Sequence, residues 1–358
     1  MYPFVSTINR ASLRNNIEAD MGMITVRSFM AGLIGLALAS ASGAAHSAED
    51  KLSMRLDWQL TGYQVPFYWA KAKGYYKESN LDVDIKSGSG SGLTINLVGS
   101  QQDDLGFADY LLMAAAAAKG MKVKAIYGVV QDGAWAVISH ADKPIRTPAD
   151  LAGKSIATTA DHKALLDLFI KVNKIPTDQL TIRVVNAATR NTVFDQGQVD
   201  GMFSITIGSP MDLLVRAQEG KSKPLLIMPF ADFGLAPQGQ GIIASEAALG
   251  AKRDAVRRFI AATNKAFIEA GRPENMAEAI KISVRDSGAS EERAASVQLQ
   301  WQDTLKHLWT KNTEGKPLGW MSGADWVSSL DILRKTDRLS TPLEATSIFT
   351  NDFIPPAK

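Results

Sequence analysis

The residues of this chain best equipped for chemistry stand just after short apolar runs. Trp58 and Gln59 follow the run that begins at Leu52. An indole there can stack on a flat ring while a neighbouring amide bonds the ring's edge. Tyr63 is a weaker candidate in the same stretch. The segment Gly88-Ser-Gly-Ser-Gly92 could offer its backbone N–H groups, Gly92 included, and the hydroxyls of Ser89 and Ser91 to an anion or carbonyl at the start of a helix. Its spacing is neither GxGxxG nor a Walker motif, which argues against a nucleotide. Asp109 closes another apolar run, where a carboxylate either accepts from an amino-bearing ring or caps the helix that follows. Thr159-Ala-Asp-His162 brings Asp161 and His162 to an equivalent turn later in the chain. Thr189 and Arg190 stand at the next one, where a guanidinium can hold a carboxylate, sulfonate or phosphate through two parallel hydrogen bonds. An exposed arginine is the commoner fate of that residue type. Trp135 is a candidate lid aromatic, and Phe203 and Ser204 are candidates of lower weight.

Other chemistries are poorly supplied. The 358 residues include no cysteine and only four histidines, which removes disulfides, thiolate zinc sites, iron–sulfur clusters and thiol nucleophiles together. A hydrolase needs a nucleophile with a placed base, yet His140, His162 and His307 stand in no recognisable catalytic context. No catalytic residue, metal or cofactor is therefore expected. The formal charge of +2 is too balanced for a chain whose task is to coat nucleic acid or an anionic membrane.

The elements that must hold these turns follow from hydrophobic periodicity. Strand-like runs alternate with helical ones from Leu52 onward, the pattern of a mainly parallel sheet covered by helices. Strands are expected near 52–58, 81–85, 105–108 and 123–130, and then near 154–158, 181–186, 201–205 and 225–228. Ser209 followed by Pro210 reads as a helix start. From Lys252 the pattern is helical only, and Trp301, Trp309, Trp320 and Trp326 are assigned to packing. The economical arrangement is an α/β protein of two lobes, 49–138 and 139–240, with 241–358 returning to the first lobe as a helical tail. The chain would then cross near 134–142 and near 237–244, making a hinge and a cleft.

Ahead of the first strand, Met21 to Arg27 leads into an apolar run from Phe29 to Ala39 and a small-residue stretch from Ser40 to Ala48. That is the layout of a secretory signal, with cleavage expected after Ala45 or Ala48, so residues 1–48 are read as signal peptide and leader. The mature chain is expected to be exported to the periplasm.

The stretch from Asp57 to Ile85, the segments 88–92, Asp104 to Asp109 and Leu151 to Ala157, and Gly197-Gln-Val-Asp-Gly201 together resemble a known family. They are similar to periplasmic solute-binding proteins of ATP-driven (ABC) importers, in the nitrate, sulfonate, taurine and thiamine-pyrimidine-precursor branch (SsuA/ThiY-like). The resemblance implies the type II periplasmic binding fold, a small-molecule ligand held between two α/β lobes, and an ABC permease as partner. It implies a monomer with no nucleic-acid partner. The same branch includes an enzyme that builds the thiamine pyrimidine with a cysteine-rich motif, which this chain lacks. Trp58, Gln59 and Asp109 suit a flat, amino-bearing ring, whereas Arg190 and the serines suit an oxyanion, so sulfonates, nitrate and aromatic carboxylates stay open as alternatives.

Overall fold

The computed structural model describes residues 48–356 apart from positions 209 and 340. The expected signal segment and the Ser209 cap lie outside the described residues. Among those residues no helix is long and apolar enough to cross a membrane.

The chain begins with β1 (Asp50–Arg55), α1 (Val65–Ala72), α2 (Tyr75–Glu78), β2 (Leu81–Lys86), α3 (Ser91–Gly99), β3 (Leu105–Asp109), α4 (Tyr110–Ala118) and β4 (Val123–Val130). It continues through β5 (Trp135–His140), β6 (Ser155–Thr158), α5 (Ala160–Val172), β7 (Thr181–Val184), α6 (Ala187–Asp195), β8 (Gly201–Ile205), α7 (Pro210–Gln218) and β9 (Leu225–Pro229). The last part holds β10 (Gln240–Ser245), α8 (Glu246–Ala251), α9 (Arg253–Ala270), α10 (Pro273–Ser287), α11 (Ala294–Thr304), α12 (Gly323–Lys335) and α13 (Ala345–Ile348).

These strands form two five-stranded sheets, ordered β2-β1-β3-β10-β4 and β7-β6-β8-β5-β9. The halves are built alike. In each, three parallel strands are extended by an antiparallel strand inserted from elsewhere in the chain, β10 in the first and β5 in the second. Each also carries the same staple. Ser53 N–H donates to Asp104 (3.0 Å) and Asp104 N–H to the Ser53 hydroxyl (2.9 Å), and Ser155 and Asp200 repeat that exchange at 2.8 and 3.0 Å. In both cases an aspartate just before the third strand fixes it beside the first.

β5 corrects the expected first crossover. Trp135–His140 is a six-residue strand, buried along its whole length and paired on both sides by β8 and β9. A strand buried on both faces has no alternation to announce it. The crossing is instead the short segment 131–134, and the return is 234–239. The two run against each other, since a Cβ on Gly133 would stand 2.4 Å from the carbonyl of Pro237.

The helical tail packs on the first half through α9 and α10, which lie against α1. It also reaches the second half, unlike the expectation: α11 packs on the turn Gly62–Gln64 and on α7, and α12 touches both α4 and α5. Phe349 stacks on Trp326 (5.6 Å), and its backbone bridges to Ala125 on the free edge of β4. Trp301 and Trp326 are core residues, but Trp309 is 40% exposed, so its assignment to packing does not hold.

Candidate functional site

β1 ends in a turn that is stitched to its neighbours before any side chain reaches the cleft. Gly90 N–H donates to the Asp57 carbonyl (2.6 Å), Gly88 N–H to the Trp58 carbonyl (3.2 Å) and the Thr94 hydroxyl to the Leu56 carbonyl (2.9 Å). A Cβ at Gly88 would stand 1.9 Å from the Leu56 carbonyl oxygen, so this Gly/Ser segment is a tightly docked loop in which glycine is required. Beneath it Asp57 is buried, accepting from the Tyr63 hydroxyl (3.0 Å) and the Gln64 amide (2.8 Å). Burial pushes its carboxyl up to about 6, and those two donors hold it from going higher. Tyr63 is therefore committed to the core, with its ring stacked on Phe107. Trp58 is half-buried on top of this base, and Gln59, Ser89 and Gly92 are exposed.

Asp109 does what its position at a strand–helix junction allows: its carboxylate accepts from Leu112 N–H (2.8 Å) and caps α4. The Ser91 hydroxyl accepts from the Asp109 N–H (3.0 Å), which ties the Gly/Ser loop to the end of β3. Both side chains have structural partners as well as a place at the cleft.

Across the cleft, Trp135 opens β5 with 2% of its surface exposed, so it is a wall of the site and no lid. His162, in the first turn of α5, meets the indole edge-on (4.7 Å), and Phe203 packs against both rings, 5.4 Å from Trp135 and 6.4 Å from His162. Burial, reinforced by the guanidinium groups of Arg190 and Arg338, holds the His162 imidazole down near 3, so it is neutral at any physiological pH. Arg190 is 4% exposed, against the expectation for that residue type; burial lowers it to about 10, which leaves it charged. Thr189 turns its hydroxyl onto the Asn186 cap (2.9 Å), and the Ser204 hydroxyl bonds the Ile205 carbonyl (3.3 Å). Asp161 sits on α5 beside His162.

Trp135 separates two cavities. The one toward α4, α5 and α12 measures about 30 Å³ and is lined by Asp109, Trp135, His162, Leu333, Thr336 and Arg338. That is room for a water, not for a ring. On the hinge side a cavity of about 460 Å³ lies between Asp132, Trp135, Thr206, Met211, Asp303 and His307. The structure thus brings Asp109, Trp135 and His162 together at the cleft floor. It leaves Thr189 and Ser204 occupied elsewhere.

Several buried polar atoms at this seam find no partner among the described residues: Trp135 Nε1, His162 Nδ1, Thr159 Oγ1, Gln131 Oε1, Gln240 Oε1 and both amide atoms of Gln238. The three glutamines and Arg338 escaped the sequence reading. The glutamines flank the two crossings, and a polar residue at each end of a buried hinge was the available signal. Arg338 had none, because nothing in the tail's pattern places it against α5. The described residues hold no group of three or more histidine or acidic side chains suited to a metal.

Known proteins resemble this chain in sequence and in fold. A family described as "NMT1/THI5 like" matches residues 61–275. The 4-amino-5-hydroxymethyl-2-methylpyrimidine phosphate synthase THI11 of Saccharomyces cerevisiae is 30% identical over 136 residues, covering 37% of this chain and 36% of the synthase. This chain therefore spans about a third of the length of the curated synthases it first matches. The riboflavin-binding protein RibY of Chloroflexus aurantiacus is 24% identical over 298 residues, 81% of this chain and 82% of that one. Among solved structures, the alkanesulfonate-binding protein SsuA of Xanthomonas axonopodis pv. citri, bound to MOPS, superposes with a TM-score of 0.61 at 19% identity, over 86% of this chain and 100% of that chain. The fold is the type II periplasmic binding arrangement.

Proposed function

From the membership of this chain in the NMT1/THI5-like family, we propose that it is the exported solute-binding component of an ATP-driven importer, capturing a small, planar, polar molecule in the cleft and delivering it to a membrane permease. In this reading 49–130 together with 240–358, and 135–233, are the two bodies that close about the crossings, and the working form is a periplasmic monomer. The observation that carries the reading is the seam itself. Strand ends of two sheets face each other across Trp135, with donors and acceptors whose burial is costly unless something bonds them. The indole, the neutral His162 and the glutamine amides suit the faces and edges of a nitrogen heterocycle of the thiamine-pyrimidine-precursor kind. The name of the riboflavin-binding relative, which also denotes a flat heterocycle, supports that class.

The test is mass spectrometry of what co-purifies, followed by thermal melting with hydroxymethylpyrimidine, riboflavin, an alkanesulfonate, nitrate and benzoate. A heterocycle at 100 times its dissociation constant adds about 2.7 kcal/mol, or about 5 °C for a chain of this size. Stabilisation by the sulfonate or nitrate alone would replace the planar-ring reading with an oxyanion one. The synthase relatives favour a second reading as an enzyme, and formation of 4-amino-5-hydroxymethyl-2-methylpyrimidine phosphate by the purified protein would establish it. Without a cysteine the chain lacks the motif that the resemblance ties to that chemistry.

A further inference from the structure

Gln300 is fully buried on α11, yet its amide is spent on both halves of the molecule at once. Its Oε1 accepts from the Gly62 N–H (2.9 Å), in the turn that follows β1, and its Nε2 donates to the Gly208 carbonyl (3.0 Å), in the turn that follows β8. Gly62 lies in the half built on the first sheet and Gly208 in the half built on the second. The approach on the first side is as close as a backbone permits: a Cβ at Gly62 would stand 2.1 Å from the Trp301 nitrogen and 2.3 Å from the Gln300 carbonyl carbon. α11 is thus fixed to the first half by backbone contact, and Trp301 Nε1 anchors it further on the Ala270 carbonyl (2.9 Å). On the second side α11 packs on α7, and the amide's partner there, among the described residues, is one carbonyl just ahead of that helix.

We infer that Gln300 is the latch of the closed state: a side chain carried rigidly by one half that hydrogen-bonds the other half only when the two are together. It is a positioning residue, and it rests on the reading that the halves close over a solute. The amide geometry makes the assignment divisible. The Oε1 bond lies within the first half and serves the fold; the Nε2 bond spans the halves and serves closure. When the halves part, water replaces both the carbonyl's donor and the amide's acceptor, so the bond biases the equilibrium by the net worth of one buried hydrogen bond and does not lock it. A bond of that size corresponds to about a three- to tenfold change in the ratio of closed to open protein, and to the same change in apparent affinity where the open form dominates.

Gln300→Glu separates the two roles. Kept ionised by working at alkaline pH, since burial raises a carboxyl here as it does at Asp57, the side chain still accepts from Gly62 but has no donor for Gly208 and faces that carbonyl with like polarity. Small-angle scattering and amide hydrogen exchange on the unliganded full chain, wild type against Gln300→Glu, read the consequence without any solute. The expected result is a larger radius of gyration and about tenfold faster exchange in the peptide spanning 203–214, with exchange around Gly62 unchanged. Equal scattering curves and equal exchange in 203–214 would overturn the latch. So would acceleration spread evenly over both halves, which marks a merely structural residue. If the Glu variant fails to fold, Gln300→Asn, one methylene too short to span the gap, serves the same comparison. Because no solute enters the experiment, a latch that fails here leaves the receptor reading standing, and a solute panel that fails leaves the latch measurable.

Discussion

His307 shows how far one side chain's surroundings can move its chemistry. Its Nδ1 hydrogen-bonds the Asp132 carboxylate on the first crossing, and its Nε2 lies 3.7 Å from Asp303. Burial opposes its charge, but the two carboxylates outweigh burial and push the imidazole up to about 9. The same corner is stapled to the hinge by backbone, with Gln131 N–H donating to the His307 carbonyl (2.8 Å) and the Gln131 amide to that of Leu308 (2.7 Å). Because the folded value lies above the unfolded one near 6.5, the ion pair stabilises fully below pH 6.5 and its contribution is lost as pH rises through about 9. Comparing the melting temperatures of wild type and His307→Gln should therefore give a gap that is widest near pH 6 and narrows towards pH 9.5. A gap that stays constant over that range would show that the imidazole's charge contributes nothing. Asp57 does not confuse the reading, since its raised value places its effect between about pH 4 and 6, where stability falls as the buried carboxyl ionises. At this scale the sequence pointed to turns that the fold brings to the cleft, such as those of Asp109 and His162, but not to how each side chain is spent. Tyr63 and Ser91 stand where candidates should stand, yet their hydroxyls answer to Asp57 and to the Asp109 backbone, 6 and 18 residues away in sequence. His307 gave no sign of itself, because its partner Asp132 lies 175 residues away.

Among the elements, β10 is the one on which the first half depends. It returns after the whole second half has been built and slots antiparallel between β3 and β4. The fit is so close at Gly241 that a Cβ would stand 2.0 Å from the Tyr110 hydroxyl and 2.3 Å from the Tyr127 carbonyl, two groups already bonded to each other at 2.7 Å. Gly241→Ala must force the Tyr110 ring or the strand aside in a region with no exposed surface to yield. Overpacking of this kind costs about 1–3 kcal/mol, so the variant should melt about 2–5 °C lower. A melting point within 1 °C or so of wild type would mean that β10 can shift without loss. Such elements were partly legible. β4, β8 and α7 have the boundaries that their turn residues and apolar runs suggest, because a Gly, a Pro or a change of period marks each end. β5 was not legible, since Trp-Ala-Val-Ile-Ser-His is buried on every side and reads equally well as a connection. The pairing of β10 rests on contacts more than a hundred residues apart, which no local signal carries.

For the whole molecule, the question is whether two sheets joined by short crossings behave as two bodies or as one. In the proposed closure the halves turn about 131–134 and 234–239, but unfolding is a different matter. One continuous apolar core contains Phe107, Phe259 and Phe267 of the first half together with Phe169, Phe203 and Phe230 of the second. Phe203 and Phe169 sandwich Phe230 at 4.7 and 3.6 Å, and Trp135 carries that stack to the hinge. The tail adds two more links, since α11 and α12 each touch both halves. The second half keeps a separate core of its own only in a small group that includes Ile138, Phe194 and Met202. A half left alone would expose the shared rings and the inner face of the tail, so neither half can melt without stripping the other. Calorimetry of residues 49–358 should show a single transition whose van't Hoff and calorimetric enthalpies agree, with a total of about 200 kcal/mol for this length. Two resolved transitions, or a van't Hoff enthalpy near half the calorimetric one, would mean that the shared core and the tail's links are too weak to couple the halves. Closure would then involve two independently folded domains, not one protein flexing about its hinge.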